Sequence, residues 1–434
     1  MKCLFSIFPF LAFLSATLAG GNKEVTETHF GELKLVLMEL EENAPLIKEE
    51  FQRLEEMKAG VLLADSVRGW KLNLNLQGQS IQEDRPSQSY LQRYHAFGSA
   101  FISKPIYHWG ALISASEIAR IENETSMFRL SNLISELKSS TRDSYLDLIV
   151  LKDQIELNQN TISSVEDTMN RISQKQKLGL TNELDVKNAE LNLLEKQIAL
   201  EDLNRSLVIA SRRFRELTGW NDVLYLDPNA SFQEFQEDYP FNTFEPELIA
   251  GGTSYSVERI KNEIEVEARK IKIAESGLKP KVNFLAGFFQ DQVPLANNED
   301  SFRRNNFLVG LEVNWAIWDS SKSKAEKSQS LARKRRLEMS LERESKSFRI
   351  TLDGMKSELD SLAKKVQMTR KLVEIAKKRL IVSEIEYTSD RITLNQFMDA
   401  RISLDQAKIK RLESICNYLK VKNRLEEVIL SKYE

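Results

Sequence analysis

Acidic and polar side chains that could do chemistry together flank two short turns of the chain. The first turn is Gly179-Leu180-Thr181 and the second is Asp390-Arg391-Ile392-Thr393. The side chains beside them are Asp185, Tyr387, Gln396 and Asp399. Carboxylates brought close together at these turns would attract cations. The competing interpretation is that Asp185 and Asp399 only favour the positive end of a helix that begins at each turn, and the sequence leaves both open.

Other kinds of chemistry have little support in the sequence. The only histidines are His29, His95 and His108, and none is spaced with acids as in a metal site. No phosphate-binding loop, dinucleotide fingerprint or nucleophile elbow occurs. Charged residues make up 29% of the chain and nearly cancel, which argues against a nucleic-acid partner. We therefore expect no enzymatic activity and no cofactor.

The N-terminus has the pattern of a secretory signal peptide. Met1-Lys2 precedes an apolar run from Leu4 to Leu18, and Ala19 offers a small residue for cleavage. The competing interpretation is a buried N-terminal helix. Removal of residues 1–19 would leave Cys416 as the only cysteine of the mature chain, so we expect no intramolecular disulfide bond.

The two turns should reverse long helices. Apolar residues recur at spacings of three and four on both sides of each turn, most extensively over residues 111–177, and this pattern predicts coiled-coil seams. Gly179 can end the first long helix with a positive φ angle, and Thr181 can cap the next helix. Thr393 and Gln396 have the spacing of a capping box. Each turn should therefore join two antiparallel helices.

The two turns are also equivalent positions of a sequence repeat. Gly179 and Asp390 are 211 residues apart, and so are Pro105 and Ala316 in two aromatic-rich segments. A fixed spacing of this kind indicates a duplicated unit. The sequence therefore predicts a first repeat, a linker and a second repeat, and these cover residues 20–219, 220–253 and 254–434.

Each repeat contains segments that alternate between apolar and polar residues, as β-strands do. The alternation fits edge strands of a soluble sheet, or membrane strands that turn leucines towards lipid and place tryptophans at the interface. The export signal and the duplication favour membrane strands. The residues that would face lipid or the interface are Trp70, Leu72, Leu74, Leu76, Trp315 and Trp318. A polar loop should join the first two strands over residues 80–93.

The predicted strands are too few to close a membrane sheet in one chain. Each repeat supplies two, and four strands are half the number found in the smallest bacterial barrels. An open sheet edge is not tolerated in lipid, so the chain must oligomerise, as a dimer or a trimer. No stretch after the signal peptide approaches the run of about 18 apolar residues that a membrane helix needs.

The order of these elements resembles that of the TolC-like outer-membrane efflux proteins. The resemblance covers nearly the whole mature chain and includes Gly179-Leu180 and the stretch Asp185-Val186-Lys187-Asn188-Ala189. It implies a mainly α-helical fold with a small membrane β portion. Long antiparallel coiled-coil helices would form a periplasmic α-barrel, and four strands from each chain of a trimer would form one twelve-stranded β-barrel.

The resemblance also implies roles for the two turns, which in the family dock a periplasmic adaptor protein and close the channel. The docking tip would consist of Gly179, Leu180, Thr181, Asp390, Arg391, Ile392 and Thr393. The pore constriction would consist of Asp185, Tyr387, Gln396 and Asp399. The second turn departs from the family pattern, since Asp390 replaces a glycine and Gln396 replaces an acid. One acidic ring would therefore be missing.

The function that the resemblance implies is a passive exit duct in the bacterial outer membrane. A homotrimer surrounded by outer-membrane lipid would conduct small solutes, such as drugs or metal ions, from an inner-membrane pump and its periplasmic adaptor. One alternative is the outer-membrane duct of a type I protein secretion system, which shares this architecture. The other is a periplasmic coiled-coil scaffold without a pore, in which the alternating strands would belong to a soluble sheet.

Overall fold

Long helices and one small sheet make up the structure, a computed structural model that describes residues 26–85, 88–178, 182–219, 231–232, 254–294, 301–389 and 391–430. The elements of the first half are α1 (Thr26–His29), α2 (Gly31–Asn43), α3 (Pro45–Ser66), β1 (Lys71–Arg85), β2 (Gln88–Tyr107), α4 (Ala111–Lys177) and α5 (Glu183–Thr218). Those of the second half are α6 (Tyr255–Glu275), β3 (Lys281–Pro294), β4 (Ser301–Asn314), α7 (Lys322–Thr388) and α8 (Leu394–Leu430). The predicted signal peptide and most of the predicted linker lie outside the described residues.

The two longest helices, α4 and α7, have 67 residues each. At 1.5 Å per residue each is about 100 Å long. Each begins directly after two consecutive residues with positive φ angles, Trp109–Gly110 before α4 and Ser320–Ser321 before α7. These two pairs have the same spacing as the sequence repeat. The two halves thus enter their long helices through the same backbone turn.

The helices pack side by side in rows. Near the two turns, α5 packs on α4, α4 on α8, and α8 on α7. Near the sheet, α3 packs on α4, α4 on α6, and α6 on α7. Within the described part of the chain, neither row closes on itself, because α7 is not packed on α5 or on α3. Each row therefore has two open ends.

The four strands form one antiparallel sheet in the order β1-β2-β3-β4. The polar loop predicted for residues 80–93 is wrong, because β1 and β2 continue through most of it with pairs such as Ser80 and Tyr94. Backbone hydrogen bonds between β1 and β2 extend both strands into this polar segment, where hydropathy gives no sign of a strand. In the second repeat, β4 ends at Asn314, so Trp315 and Trp318 follow the strand.

The main hydrophobic core lies where α2, α4, α5, α7 and α8 meet. Tyr145 and Phe214 are almost fully buried in it, and Leu352 and Leu359 of α7, seven residues apart, are buried as well. Cys416 is also buried there, and this burial raises the pKa of its thiol to about 12. Cys416 is therefore a packing residue with little thiolate character at neutral pH.

A buried carboxylate ties a piece of the predicted linker to this core. Asp153 of α4 is fully buried and accepts hydrogen bonds from Ser231 Oγ at 2.6 Å and from Phe232 N at 2.8 Å. Burial raises the pKa of Asp153, against the effect of these two hydrogen bonds. The ring of Phe232 packs edge-on against Phe30 with the centroids 5.9 Å apart. These contacts fasten the linker to the middle of α4.

Candidate functional site

A small apolar cluster joins the ends of four long helices beside the two turns. Its buried members are Val165, Ile172, Ala189, Leu394, Phe397 and Met398. They come from α4, α5 and α8, and Tyr387 of α7 packs against them. The structure therefore brings the two turns, which are far apart in sequence, to the same end of the molecule.

Thr393 and Gln396 form the predicted capping box at the start of α8. Gln396 Oε1 accepts a hydrogen bond from Thr393 N at 3.0 Å, and Gln396 N donates to Thr393 Oγ1 at 3.4 Å. Arg391 N donates to the carbonyl of Glu386 at 2.9 Å, which holds the turn against the end of α7. The side chains of Arg391 and Thr393 are exposed, whereas Ile392 packs on the apolar cluster.

The first turn is described only on its two sides. The docking-tip residues outside the described part of the chain are Gly179, Leu180, Thr181 and Asp390. The N-cap of α5 is Asn182, whose Oδ1 accepts a hydrogen bond from Asp185 N at 2.9 Å. The predicted cap at Thr181 is therefore wrong by one residue. Asparagine caps helices at least as well as threonine, so hydrophobic spacing alone does not distinguish the two.

The predicted constriction residues differ in their surroundings. Gln396 and Asp399 are exposed, and Asp185 and Tyr387 are half-buried. The ring of Tyr387 stacks on that of Phe397 with centroids 5.1 Å apart. Asp185 lies in the first turn of α5, whereas α8 has no acid in its first turn. Stabilisation by the helix dipole therefore fits Asp185 but not Asp399, and the roles of these residues in a pore stay predictions.

Two basic residues near this end were not identified from the sequence. Lys175 Nζ lies 5.6 Å from the centroid of the Tyr387 ring. Arg401 is half-buried, and burial lowers the pKa of its guanidinium against the opposing effects of Asp405 and Glu384. Both occur inside regular helical patterns, where a basic residue usually indicates only a solvated face. Their positions show that the charges at this end are not purely acidic.

The register of the sheet divides its residues between two faces. One row crosses the sheet from Leu74 through Ala100 and Phe288 to Phe307. The next row towards the helices on this face is also apolar and consists of Leu72, Ile102, Ala286 and Val309. The alternate row runs from Asn75 through Ser99 and Phe289 to Asn306. We call the first of these surfaces the apolar face. Leu72, Leu74 and Leu76 on it are 69–75% exposed in the single chain.

Tryptophans cluster where the sheet meets the helices. The exposed fractions of Trp70, Trp315 and Trp318 are 62%, 59% and 81%. Trp315 Nε1 donates a hydrogen bond to the carbonyl of Leu278 at 3.0 Å, and Trp109 Nε1 donates to that of Pro280 at 2.8 Å. Each of these two indoles keeps its polar N–H satisfied while its ring stays accessible, the arrangement typical of aromatic residues at a membrane interface.

The described residues lack two features. They contain no group of three or more histidine, cysteine, aspartate or glutamate side chains arranged to hold a metal ion. None of their helices combines the length and the apolar character required to cross a membrane.

One known family model matches the first part of the chain. Residues 36–220 match the family model described as outer membrane efflux protein. No curated protein sequence matches the chain. The matched residues extend from α2 to just beyond α5 and so include the first hairpin, the long helix α4 and the first turn.

Solved structures of outer-membrane channels have the same fold along nearly the whole chain. The outer-membrane channel OprN aligns with a TM-score of 0.77 at 14% identity, over 92% of this chain and 90% of its own. VceC from Vibrio cholerae aligns with a TM-score of 0.76 at 13% identity, over 93% and 97%. The CmeC channel of Campylobacter jejuni gives 0.76 at 12% identity, over 100% and 94%. The resemblance predicted from the sequence is thereby confirmed: residues 36–220 match the outer membrane efflux protein model, and the chain has the fold of solved outer-membrane channels.

Proposed function

We propose that the chain assembles as a homotrimer and forms a passive exit duct in the bacterial outer membrane. The duct receives small solutes, such as drugs or metal ions, from an inner-membrane pump through a periplasmic adaptor protein. The family match and the channel fold support an outer-membrane efflux duct. The trimer, the partners and the solutes are inferred from the resemblance to outer-membrane efflux proteins. The open edges of the single chain support an oligomer.

The observation that carries this proposal is that the open ends of the helical rows are apolar. On α5, Leu184, Leu191 and Ile198 are 60–65% exposed and recur every seven residues. On α7, Met368, Ile375 and Val382 have the same spacing and are 54–68% exposed. Heptad stripes of this kind are coiled-coil seams without a partner in the single chain. Since they lie on the two ends of one row, α5 of one protomer can pack on α7 of the next.

The sheet, like the helical rows, has two open edges. β1 pairs only with β2, and β4 pairs only with β3, so both edge strands lack a neighbour on one side in the described chain. The apolar face would lie against lipid, where unpaired backbone groups are not tolerated. Pairing β4 of one protomer with β1 of the next removes every edge. Three chains would give twelve strands, which is within the known range for outer-membrane barrels.

The two turns are the proposed contact with the adaptor. Exposed side chains at Arg391 and Thr393 lie directly over the apolar cluster, so this surface is polar outside and rigidly supported from behind. Asp185, Gln396 and Asp399 flank the same end and would line the constriction in the closed trimer. A pore-free scaffold would instead leave the apolar face and the heptad stripes in water, which disfavours that alternative.

An accumulation assay tests the proposed function. A strain without this chain should accumulate a fluorescent pump substrate, and the wild-type chain should restore its removal. Gly179→Val, which forces a β-branched residue into the first turn, should leave normal amounts of oligomer in the outer membrane and fail to restore removal. Unchanged accumulation of every solute in the deleted strain would contradict the proposal, and loss of one secreted protein instead would identify a secretion duct.

A further inference from the structure

Two lysines lie over exposed indoles at the helical end of the apolar face. Lys104 Nζ is 5.0 Å from the centroid of the Trp70 ring, and Lys279 Nζ is 4.9 Å from that of Trp109. Lys104 pairs with Phe284 across β2 and β3, so it belongs to the apolar face. The ring of Phe284 in turn contacts that of Trp70 with centroids 5.7 Å apart. Lys104 thus lies at the helical edge of the apolar face, and Lys279 lies just before β3.

The carboxylates at this level already have partners. Asp65 accepts hydrogen bonds from Ser116 and Arg120, and these hold the pKa of its carboxyl below the usual range. Glu275 pairs with Lys327 at 2.8 Å, which lowers the pKa of Glu275 in the same way.

Asp319, the third acid at this level, accepts from Ser323 N at 2.8 Å at the start of α7. Lys104 and Lys279 form no ion pair with any other residue that the structure describes. In the first turn of α7, the exposed Lys324 adds positive charge, whereas Lys322 pairs with Glu326 at 3.9 Å. The ammonium groups of Lys104 and Lys279 are therefore available to an anionic ligand.

This geometry suits a phosphate group in a membrane surface. A lysine can lay its apolar stem along the sheet and keep its ammonium at the level of lipid headgroups. The indole below each ammonium restrains it through a cation–π contact, which leaves N–H donors free on the other side. An anionic lipid phosphate at this position would meet positive charge, while the acyl chains of the same lipid would cover the apolar face.

We propose that Lys104 and Lys279 bind the phosphate headgroups of anionic phospholipids in the leaflet next to the helices. One site lies beside Trp70 and the other beside Trp109. This inference rests on the proposed membrane position of the sheet and adds that the protein prefers anionic phospholipids. Zwitterionic lipids can cover the apolar face but lack the net charge that these lysines complement.

Tryptophan quenching provides the test, in a Trp220→Phe/Trp315→Phe/Trp318→Phe background that leaves Trp70 and Trp109 as the reporters of the two sites. The purified full-length protein is reconstituted into dibrominated phosphatidylcholine, which quenches tryptophan, and phosphatidylglycerol without bromine is titrated in. Recovery of fluorescence gives the binding preference for phosphatidylglycerol. A basic residue at a membrane surface contributes about 1 kcal/mol towards anionic lipid. Each lysine should therefore raise the preference about fivefold.

The variant Lys104→Gln/Lys279→Gln should lose most of this preference, while Lys104→Arg/Lys279→Arg should keep it. The matched control is Lys364→Gln/Lys365→Gln, which removes two exposed lysines of α7 about 60 Å along the helix from its start. The control should retain the wild-type preference. An unchanged preference in the Lys104→Gln/Lys279→Gln variant, or an equal loss in the control, would overturn the inference. Absence of any quenching by the brominated lipid would instead contradict the proposed membrane position.

Discussion

A charge placed in the middle of the apolar face should prevent insertion of the sheet. Leu74 is 69% exposed and lies midway between Trp70 and Gly78, a span of about 26 Å along the strand at 3.3 Å per residue. This span is close to the height of the apolar band in outer-membrane barrels, about 25 Å. Arginine near the midplane costs about 2–4 kcal/mol. Leu74→Arg should therefore reduce the folded-to-unfolded ratio by about 30- to 700-fold per chain.

The matched control for this prediction is the next residue. Asn75 occupies the opposite face, in the row of Ser99, Phe289 and Asn306. Asn75→Arg should assemble normally because its side chain would point towards water. The assay is refolding into lipid vesicles at increasing urea concentration, followed by the heat-modifiable oligomer band on gels. Equal assembly of both variants, or equal failure of both, would refute the assignment of the two faces.

Three further predictions concern the helical part. Gly219→Ala should lower the free energy of unfolding by more than about 2 kcal/mol, because φ is +70° and an added Cβ would meet the carbonyl of Asn43. Gly354→Ala, where an added Cβ meets open space, should raise the free energy of unfolding by about 1 kcal/mol, and urea unfolding measures both changes. Burial raises the pKa of Asp153, so the wild-type protein should lose stability as the pH rises above about 4. Asp153→Asn should lack this loss when Tm is compared across pH, and parallel Tm curves for the two proteins would contradict the prediction. Gln396→Glu should tighten block by a trivalent cation in single-channel recordings and Asp399→Asn should weaken it, whereas no change in either variant would place the gate elsewhere.

The helices were predictable because their signal is long and periodic. The bounds of α4 and the seam of α7 through Leu352 and Leu359 follow from apolar spacing alone. The strands were underestimated, since the outer part of the first hairpin is polar and is held by backbone pairs such as Ser80 with Tyr94. Hydropathy does not report such pairs.

Contacts between distant parts of the chain could not be predicted from the sequence. The hydrogen bonds of Asp153 with Ser231 and Phe232 link residues almost eighty positions apart, and only the fold brings them together. The open stripe at Leu184, Leu191 and Ile198 has the same spacing as an internal seam. Sequence periodicity identifies both as apolar, but packing within the chain decides which one is left for another protomer.

The most direct test of the central claim is the conductance of the purified protein in a planar lipid bilayer. An oligomer that closes a membrane sheet around a continuous duct should produce discrete current steps whose size is set by the salt concentration. Leu74→Arg should abolish insertion and therefore the steps, and Asn75→Arg should preserve them. A heat-modifiable oligomer that inserts into the bilayer and passes no current would contradict the account.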